Sequence, residues 1–195
     1  MTAVWALVGL GNPGSKYVGT RHNVGEMALD LIAGKCRLKL SAHRTGNQIG
    51  QCRVSPGGDQ IILIKPNSFM NLSGGPVQAA LQYFNVPLDN TVVLHDEIDI
   101  PFDTLRLKKG GGHGGHNGLR DIAKACQSPD FTRVRIGVGR PPGRQDVADF
   151  VLSGFTSAER AKLPLLLADS ADAALTVIES GLLAAQQKFH SQERA

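Results

Sequence analysis

The sequence predicts an α/β fold: a single-domain three-layer sandwich whose twisted, mixed but mostly parallel β-sheet carries helices on both faces. Three observations predict it. Short apolar runs, too brief for helices, recur along the chain and end at glycine or turn residues. Segments with apolar residues at helical spacing alternate with them, as in a sheet covered on both sides. No repeat, low-complexity tract or linker divides the 195 residues, a length that suits one unit with a real core.

Residues 4–8 (VWALV) read as a buried strand closed by Gly9. A helix signal begins near Val24, with Val24, Met27, Ala28, Leu31 and Ile32 on one face and Asn23 and Glu26 spaced as a capping box. Residues 61–64 (IILI) form a second strand, which runs through KPNSFMNLSGGP into a helix carrying Val77, Ala80, Leu81 and Phe84. Residues 91–94 form a third strand, ending in HDEIDIP. Residues 104–108 alternate, Leu105 and Leu107 opposite Arg106 and Lys108; so soon after the third strand, this one reads as an antiparallel member. GGGHGGHNG precedes a helix near residues 119–125, and residues 132–138 alternate again, with Val134, Ile136 and Val138 opposite Arg133 and Arg135. Beyond GRPPGR the chain reads as helical to its end, broken near Gly154, Pro164 and Gly181.

Composition narrows the function classes. With 42% hydrophobic and 19% charged residues the chain is globular in character rather than disordered. A net charge of +4 is compatible with a polyanionic partner without requiring one. Cys36, Cys52 and Cys126 show neither a CxxC spacing nor an even framework, which fits a reducing, cytoplasmic setting. The apolar run at residues 4–10 is too short for a signal peptide or a membrane span, and no longer one follows.

Gly9-Leu10-Gly11-Asn12-Pro13-Gly14 spells GxGxxG, yet the helix that should open at the last glycine is delayed to about Val24. The acidic residue that should follow a second strand falls instead at Asp30, inside the helical pattern. This loop is not a dinucleotide fingerprint. A P-loop and a GxSxG elbow are both lacking, so acyl-serine chemistry loses its marker.

Several polar residues stand in these loops. Asn12, Asn71 and Asn117 suit turns and caps. They are equally neutral amides able to orient a carbonyl, a water or a sugar hydroxyl without competing for protons. His22 lies ahead of a helix N-terminus, whose dipole disfavours imidazolium and would keep the ring neutral and able to take a proton. Asp96, directly after the third strand, can fix the tautomer of such a ring; otherwise the two are a surface histidine and a solvated acid. Water activated by the pair would attack a carbonyl with no covalent intermediate. His113 and His116 make an H-x-x-H, but glycine-rich backbone holds ligands poorly and no third ligand is suitably spaced, so no metal is expected. Arg106, Lys108, Arg133 and Arg135 form either a solvated sheet face or, if their strands pair, a phosphate clamp. Tyr17 is placed to stack on a base or ribose, or simply to pack.

Taken together, GLGNPG…TRHNVG, KPNSFMNLSG, HDEIDIP and GGGHGGHNGLRDI resemble the bacterial peptidyl-tRNA hydrolase family, in the same order and with similar gaps from residue 4 to about residue 155. The resemblance implies a monomeric, cofactor-free cytoplasmic enzyme that hydrolyses the ester between a peptide and the 3′ ribose of tRNA. It implies that His22 is the general base and Asp96 its orienting acid. Asn12, Asn71 and Asn117 would hold peptide and water, with Met70 and His116 lining the same crevice. Arg106, Lys108 and Arg135 match a clamp for the tRNA 5′ phosphate. Residues 140–155 resemble a mobile gate, with C-terminal helices over 156–195. Two other readings stand beside this one: a non-catalytic RNA-binding relative, and a metal-dependent hydrolase using His113 and His116.

Overall fold

The apolar runs become the centre of one sheet. The computed structural model describes residues 2–190. In chain order the strands are β1 (Val4–Gly9), β2 (Ser41–His43), β3 (Asn47–Arg53), β4 (Gln60–Pro66), β5 (Thr91–Glu97), β6 (Leu105–Lys109) and β7 (Thr132–Gly137). The helices are α1 (Val24–Lys35), α2 (Gly74–Tyr83), α3 (Asn117–Ala125), α4 (Val147–Val151), α5 (Ser157–Ser180) and α6 (Leu182–His190). The sheet order is β2-β3-β4-β1-β5-β7-β6. β4, β1, β5 and β7 are parallel to one another, and antiparallel strands close both edges.

Alternation along β1 shows how the layers arise. Leu7 points to the face covered by α1, α5 and α6, whereas Ala6 and Val8 point to the face covered by α2 and α3. Both faces of the central strands are dry, so their sequences read as continuous apolar runs. The expected three-layer mixed sandwich is therefore what forms.

Four details differ from expectation. The hairpin of β2 and β3 is not legible, because NQIGQCR carries little apolar alternation; β3 is held by its ladder with β4, Ile49 opposite Ile64. The strand after β5 is antiparallel as expected, but its partner is β7, which inserts between them and leaves lysine-bearing β6 at the edge. Side chains close that edge: the Leu107 N–H donates to His190 Nε2 (2.8 Å) and its carbonyl accepts from Gln186 Nε2 (3.1 Å). Pro164 does not break α5, which runs through it; the proline is exposed, so the carbonyl it leaves unpaired faces water. The chain does pause around Gly154 and again at Gly181 (φ +89°), while helix beyond His190 lies outside the described residues. On α1 the buried stripe is Val24, Gly25, Ala28, Leu29 and Ile32, with Leu31 turned outward.

Gly25 explains that rotation. A Cβ there would lie 2.1 Å from the Leu94 carbonyl oxygen, so α1 approaches β5 more closely than any side chain permits. This contact brings the start of α1 to the end of β5. Gly25→Ala should therefore lose roughly 1–3 kcal/mol or more in urea unfolding through overpacking. Gly34→Ala, on the same helix with nothing within 4 Å of a new Cβ, should be neutral or gain up to about 1 kcal/mol. Equal effects at the two sites would remove the close-approach argument.

Candidate active site

Loops following β1, β4 and β5, together with the turn into α3, converge at the carboxyl ends of the parallel strands, where open α/β sheets bind ligands. They enclose a cleft of about 580 Å³. Asn12, His22, Met70, Asn71, Asp96, His116 and Asn117 all line it. Val147, Ala148, Val151 and Leu152, from the segment that resembles a gate, form the opposite wall. That segment contains α4, started by Asp146, whose side chain accepts from the Ala148 N–H.

His22 sits in a 3₁₀ turn (Arg21–Asn23) leading into α1, and its Nδ1 lies 2.8 Å from Asp96 Oδ2. An ionised carboxylate only accepts, so Nδ1 carries the proton and Nε2 keeps a lone pair. The Asp96 side chain is 2% exposed. Its other oxygen, Oδ1, lies 2.8 Å from His116 Nε2. His116 caps α3, its Nδ1 accepting from the Gly118 and Leu119 N–H groups, which puts the His116 proton on Nε2. Asp96 thus receives one N–H from each of two imidazoles.

The electrostatics follow from that arrangement. Burial alone would raise the Asp96 carboxyl, but the charges and hydrogen bonds of His22 and His116 hold it far below the usual carboxylate range. For His22, burial lowers the pKa, and the charge and hydrogen bond of Asp96 more than offset this. The net shift is upward from 6.5, so the ring is a stronger base than a free imidazole. The Asp96 carboxylate, not the helix end, sets the direction of this shift. His95 behaves oppositely: burial, with the charge of His116, pushes it down to about 3. Its Nδ1 donates to the Asp96 carbonyl (2.7 Å), and its ring meets His116 edge to face, centroids 5.1 Å apart. HDE therefore contains a neutral packing histidine beside the acid, a distinction sequence alone does not make.

Asn12 is placed by residues that sequence reasoning assigned elsewhere. Asn23 and Glu26 do not form the expected capping box; the Asn23 side chain makes no cap hydrogen bond. Its Oδ1 accepts from the Asn12 N–H and its Nδ2 donates to the Asn12 carbonyl, both at 2.9 Å. The same Nδ2 donates to Glu26 Oε2 (3.0 Å), fixing which way the amide points. Burial pushes the Glu26 carboxyl up to about 7. Asn12 Oδ1 accepts from the Met70 N–H (2.7 Å), which orients the Asn12 amide NH₂ for a ligand. Asn71 and Asn117 are exposed on the cleft wall. Tyr17 is not a wall residue; it meets the wall through Phe69, edge to face at 6.3 Å.

The cation patch is real but smaller than four residues. Arg106 opposes Arg135 and Lys108 opposes Arg133 across the β6–β7 ladder. Arg133 is 1% exposed and donates to the carbonyls of Gly111, Gly112 and Pro129, tying down the glycine loop rather than facing solvent. Arg106, Lys108 and Arg135 remain partly exposed. Burial and crowding with Arg135 and Arg133 lower the Lys108 ammonium, while Glu97, a cleft-wall residue, opposes the shift and shows that patch and cleft adjoin.

Among the described residues, His22, Asp96 and His116 are a set with metal-ligand atoms, within 4.8 Å of one another. Those atoms are already paired at hydrogen-bond distance. His113 is not in the cluster and its Nδ1 accepts from the Gly115 N–H, so the H-x-x-H pair does not converge. Arg21 was also missed. It donates to Ser153, Gly154 and Glu159 and stacks on Phe150, joining the turn of His22 to the segment around α4.

The chain is similar to known proteins along its whole length. A family model described as peptidyl-tRNA hydrolase matches residues 6–195. A peptidyl-tRNA hydrolase of Leifsonia xyli is 53% identical, covering 98% of this chain and 99% of its own. Another, from Pseudarthrobacter chlorophenolicus, is 52% identical over the full length of both. The crystal structure of peptidyl-tRNA hydrolase from Acinetobacter baumannii superposes with a TM-score of 0.91 at 32% identity, covering 100% of this chain and 98% of that one.

NMR titration tests the electrostatics directly. The His22 ring should titrate above 6.5 in the native protein. In Asp96→Asn, burial acts alone and the midpoint should fall below that value. A midpoint unmoved by the substitution would mean that Asp96 does not govern the ring.

Proposed function

Because the chain belongs to the peptidyl-tRNA hydrolase family and hydrolyses peptidyl-tRNA, we propose that His22 Nε2 is the general base of this reaction and that the cleft holds the ester-linked 3′ end. The observation that carries the proposal is the His22 Nδ1–Asp96 Oδ2 contact at 2.8 Å, which leaves the second ring nitrogen free to take a proton within the cleft. His22 Nε2 removes a proton from water as the oxygen attacks the ester carbonyl carbon. Asp96 stabilises the imidazolium that forms, the role of a buried carboxylate behind a catalytic histidine. The oxyanion is met by neutral amide donors, with Asn12 the best oriented. As the tetrahedral intermediate collapses, the imidazolium returns its proton to the departing ribose oxygen, and both products leave without a covalent enzyme intermediate.

Asn71 and Asn117 suit the peptide amides flanking the ester, and exposed Phe69, Val147 and Leu152 suit its apolar side chains. Asn23 and Glu26 act as positioning residues through Asn12. The segment around α4 is the gate over the bound peptide, pinned at its far end by Arg21. Arg106, Lys108 and Arg135 take a tRNA phosphate, and Tyr17 supports Phe69 beside the 3′ end. We read the enzyme as a cytosolic monomer, since its substrate arises from translation. Among the described residues no helix is long and apolar enough to cross a membrane.

His22→Ala should slow release of peptide from labelled peptidyl-tRNA by about 10²–10⁴-fold with tRNA binding intact; a near-normal rate removes His22 as the base. Lys108→Ala and Arg135→Ala should each weaken tRNA binding and lower the slope of log affinity against log salt by about one. Both variants should still cleave a peptide esterified to a short 3′ fragment at nearly the native rate. Equal loss on the two substrates would mean the patch is no phosphate clamp.

A further inference from the structure

Away from the cleft, two of the three cysteines meet. Cys36 ends α1 and Cys52 lies in β3, yet their sulfur atoms are 2.8 Å apart, and both residues are partly exposed. We propose that Cys36 and Cys52 are a reversible disulfide site, closed by a hydroperoxide oxidant, that fastens α1 to the outer hairpin of the sheet.

Both partners are held by backbone, so the contact does not depend on side-chain chance. Cys36 is the last residue before a helix-ending turn in which the Arg37 N–H donates to the Gly34 carbonyl and the Leu38 N–H to the Ala33 carbonyl. Arg37 adopts the left-handed conformation that this motif requires (φ +53°). Cys52 is fixed opposite Ile61 in the β3–β4 ladder. A disulfide spans about 2.05 Å, so roughly 0.8 Å of approach, within the range of small χ1 adjustments, completes the bond. Cys36 and Cys52 pack, with Leu38, Leu40 and Val54, against one core cluster, so closure joins elements that already share it.

The chemistry balances with peroxide alone. The Cys36 thiolate attacks one peroxide oxygen, the O–O bond breaks, and the departing hydroxide leaves as water. The resulting Cys36 sulfenic acid is attacked by Cys52 sulfur; the S–O bond breaks and the second hydroxide leaves as water with the Cys52 proton. Two thiols lose two electrons and two protons, and one peroxide becomes two waters. Burial, contact with the Cys36 thiol and the Cys36 charge push the Cys52 thiol up to about 12. In a reducing compartment such a bond is transient and responds to oxidant rather than being a permanent part of the fold. Cys126 ends α3 on the other face of the sheet and has no place in it.

The test is to treat the intact protein with hydrogen peroxide, digest it without reductant and read the peptides by mass spectrometry. A Cys36–Cys52 cross-linked pair, two hydrogens lighter than the separate peptides, is expected. Closing a loop of this size in the unfolded chain should raise the thermal midpoint by roughly 5–10 °C, reversed by a thiol reductant. Cys36→Ser and Cys52→Ser should each lose both effects, and Cys126→Ser should retain them. Separate sulfinic acids in place of the link, a midpoint that does not rise, or the same rise in Cys36→Ser would overturn the proposal. The peptide map is read on the unaltered chain, so the outcome stands even if a serine variant folds poorly.

Discussion

A single buried carboxylate organises this protein. Asp96 stands at the end of β5 with an imidazole on each oxygen, His22 from the turn before α1 and His116 from the N-terminus of α3. Taken out of water alone, that charge would be prohibitively costly; with two N–H donors it stays ionised. Everything that brings the three residues together serves it. Gly25 lets α1 lie against the Leu94 carbonyl, and Gly118 lets the first turn of α3 meet Met70 and Leu10. The two helices cover opposite faces of the sheet, so the Asp96 bridge also ties the layers together at their open end.

The two histidines around Asp96 differ in what remains to them. His116 uses its second nitrogen as a helix cap, so it is committed to structure on both sides. His22 has its second nitrogen left over for the cleft. One acid thereby sustains two rings of unlike roles, and the difference is decided by backbone N–H groups rather than by the rings themselves. The third histidine nearby, His95, is driven neutral by burial and serves as packing. Histidine content alone therefore says little about proton transfer here.

Polar groups around this centre are arranged by charge type. Next to His22 the donors are amides, and their orientation is set by further amides and backbone: Asn23 holds Asn12, and Met70 turns the Asn12 side chain. Amides neither titrate nor add net charge, so they leave the basicity of His22 to Asp96. Cations are kept on the β6–β7 ladder, adjoining the cleft through Glu97. Within that ladder Arg133 is withdrawn to support the glycine loop, so loop shape and patch charge share a strand. Arg21 does similar work on the other side, coupling the turn of His22 to the segment around α4 while Glu159 balances its charge.

The sequence by itself determined the layers and most of the polar residues that line the cleft. Runs such as IILI at residues 61–64 are too short for a helix and suit a strand dry on both faces, and alternating Leu105 to Lys108 places its leucines on one face and its cations on the other. Motif order placed Asn12, His22, Asn71 and Asp96 at or after the carboxyl ends of parallel strands, which share one edge of the sheet, whereas Asn117 follows the antiparallel β6 and reaches that edge only through the glycine loop. Tertiary structure alone decided partners and charge states. The β2–β3 hairpin exists because β4 offers an edge; β6 pairs with β7 rather than β5; Pro164 stays helical on an exposed face of α5. Asn23 and Glu26 look like a cap and instead hold a loop, and Arg133 looks like part of a clamp and instead is buried. Local spacing records which face a residue can occupy. Hydrogen-bond partners and proton affinity depend on atoms supplied from distant chain, and these have no local trace.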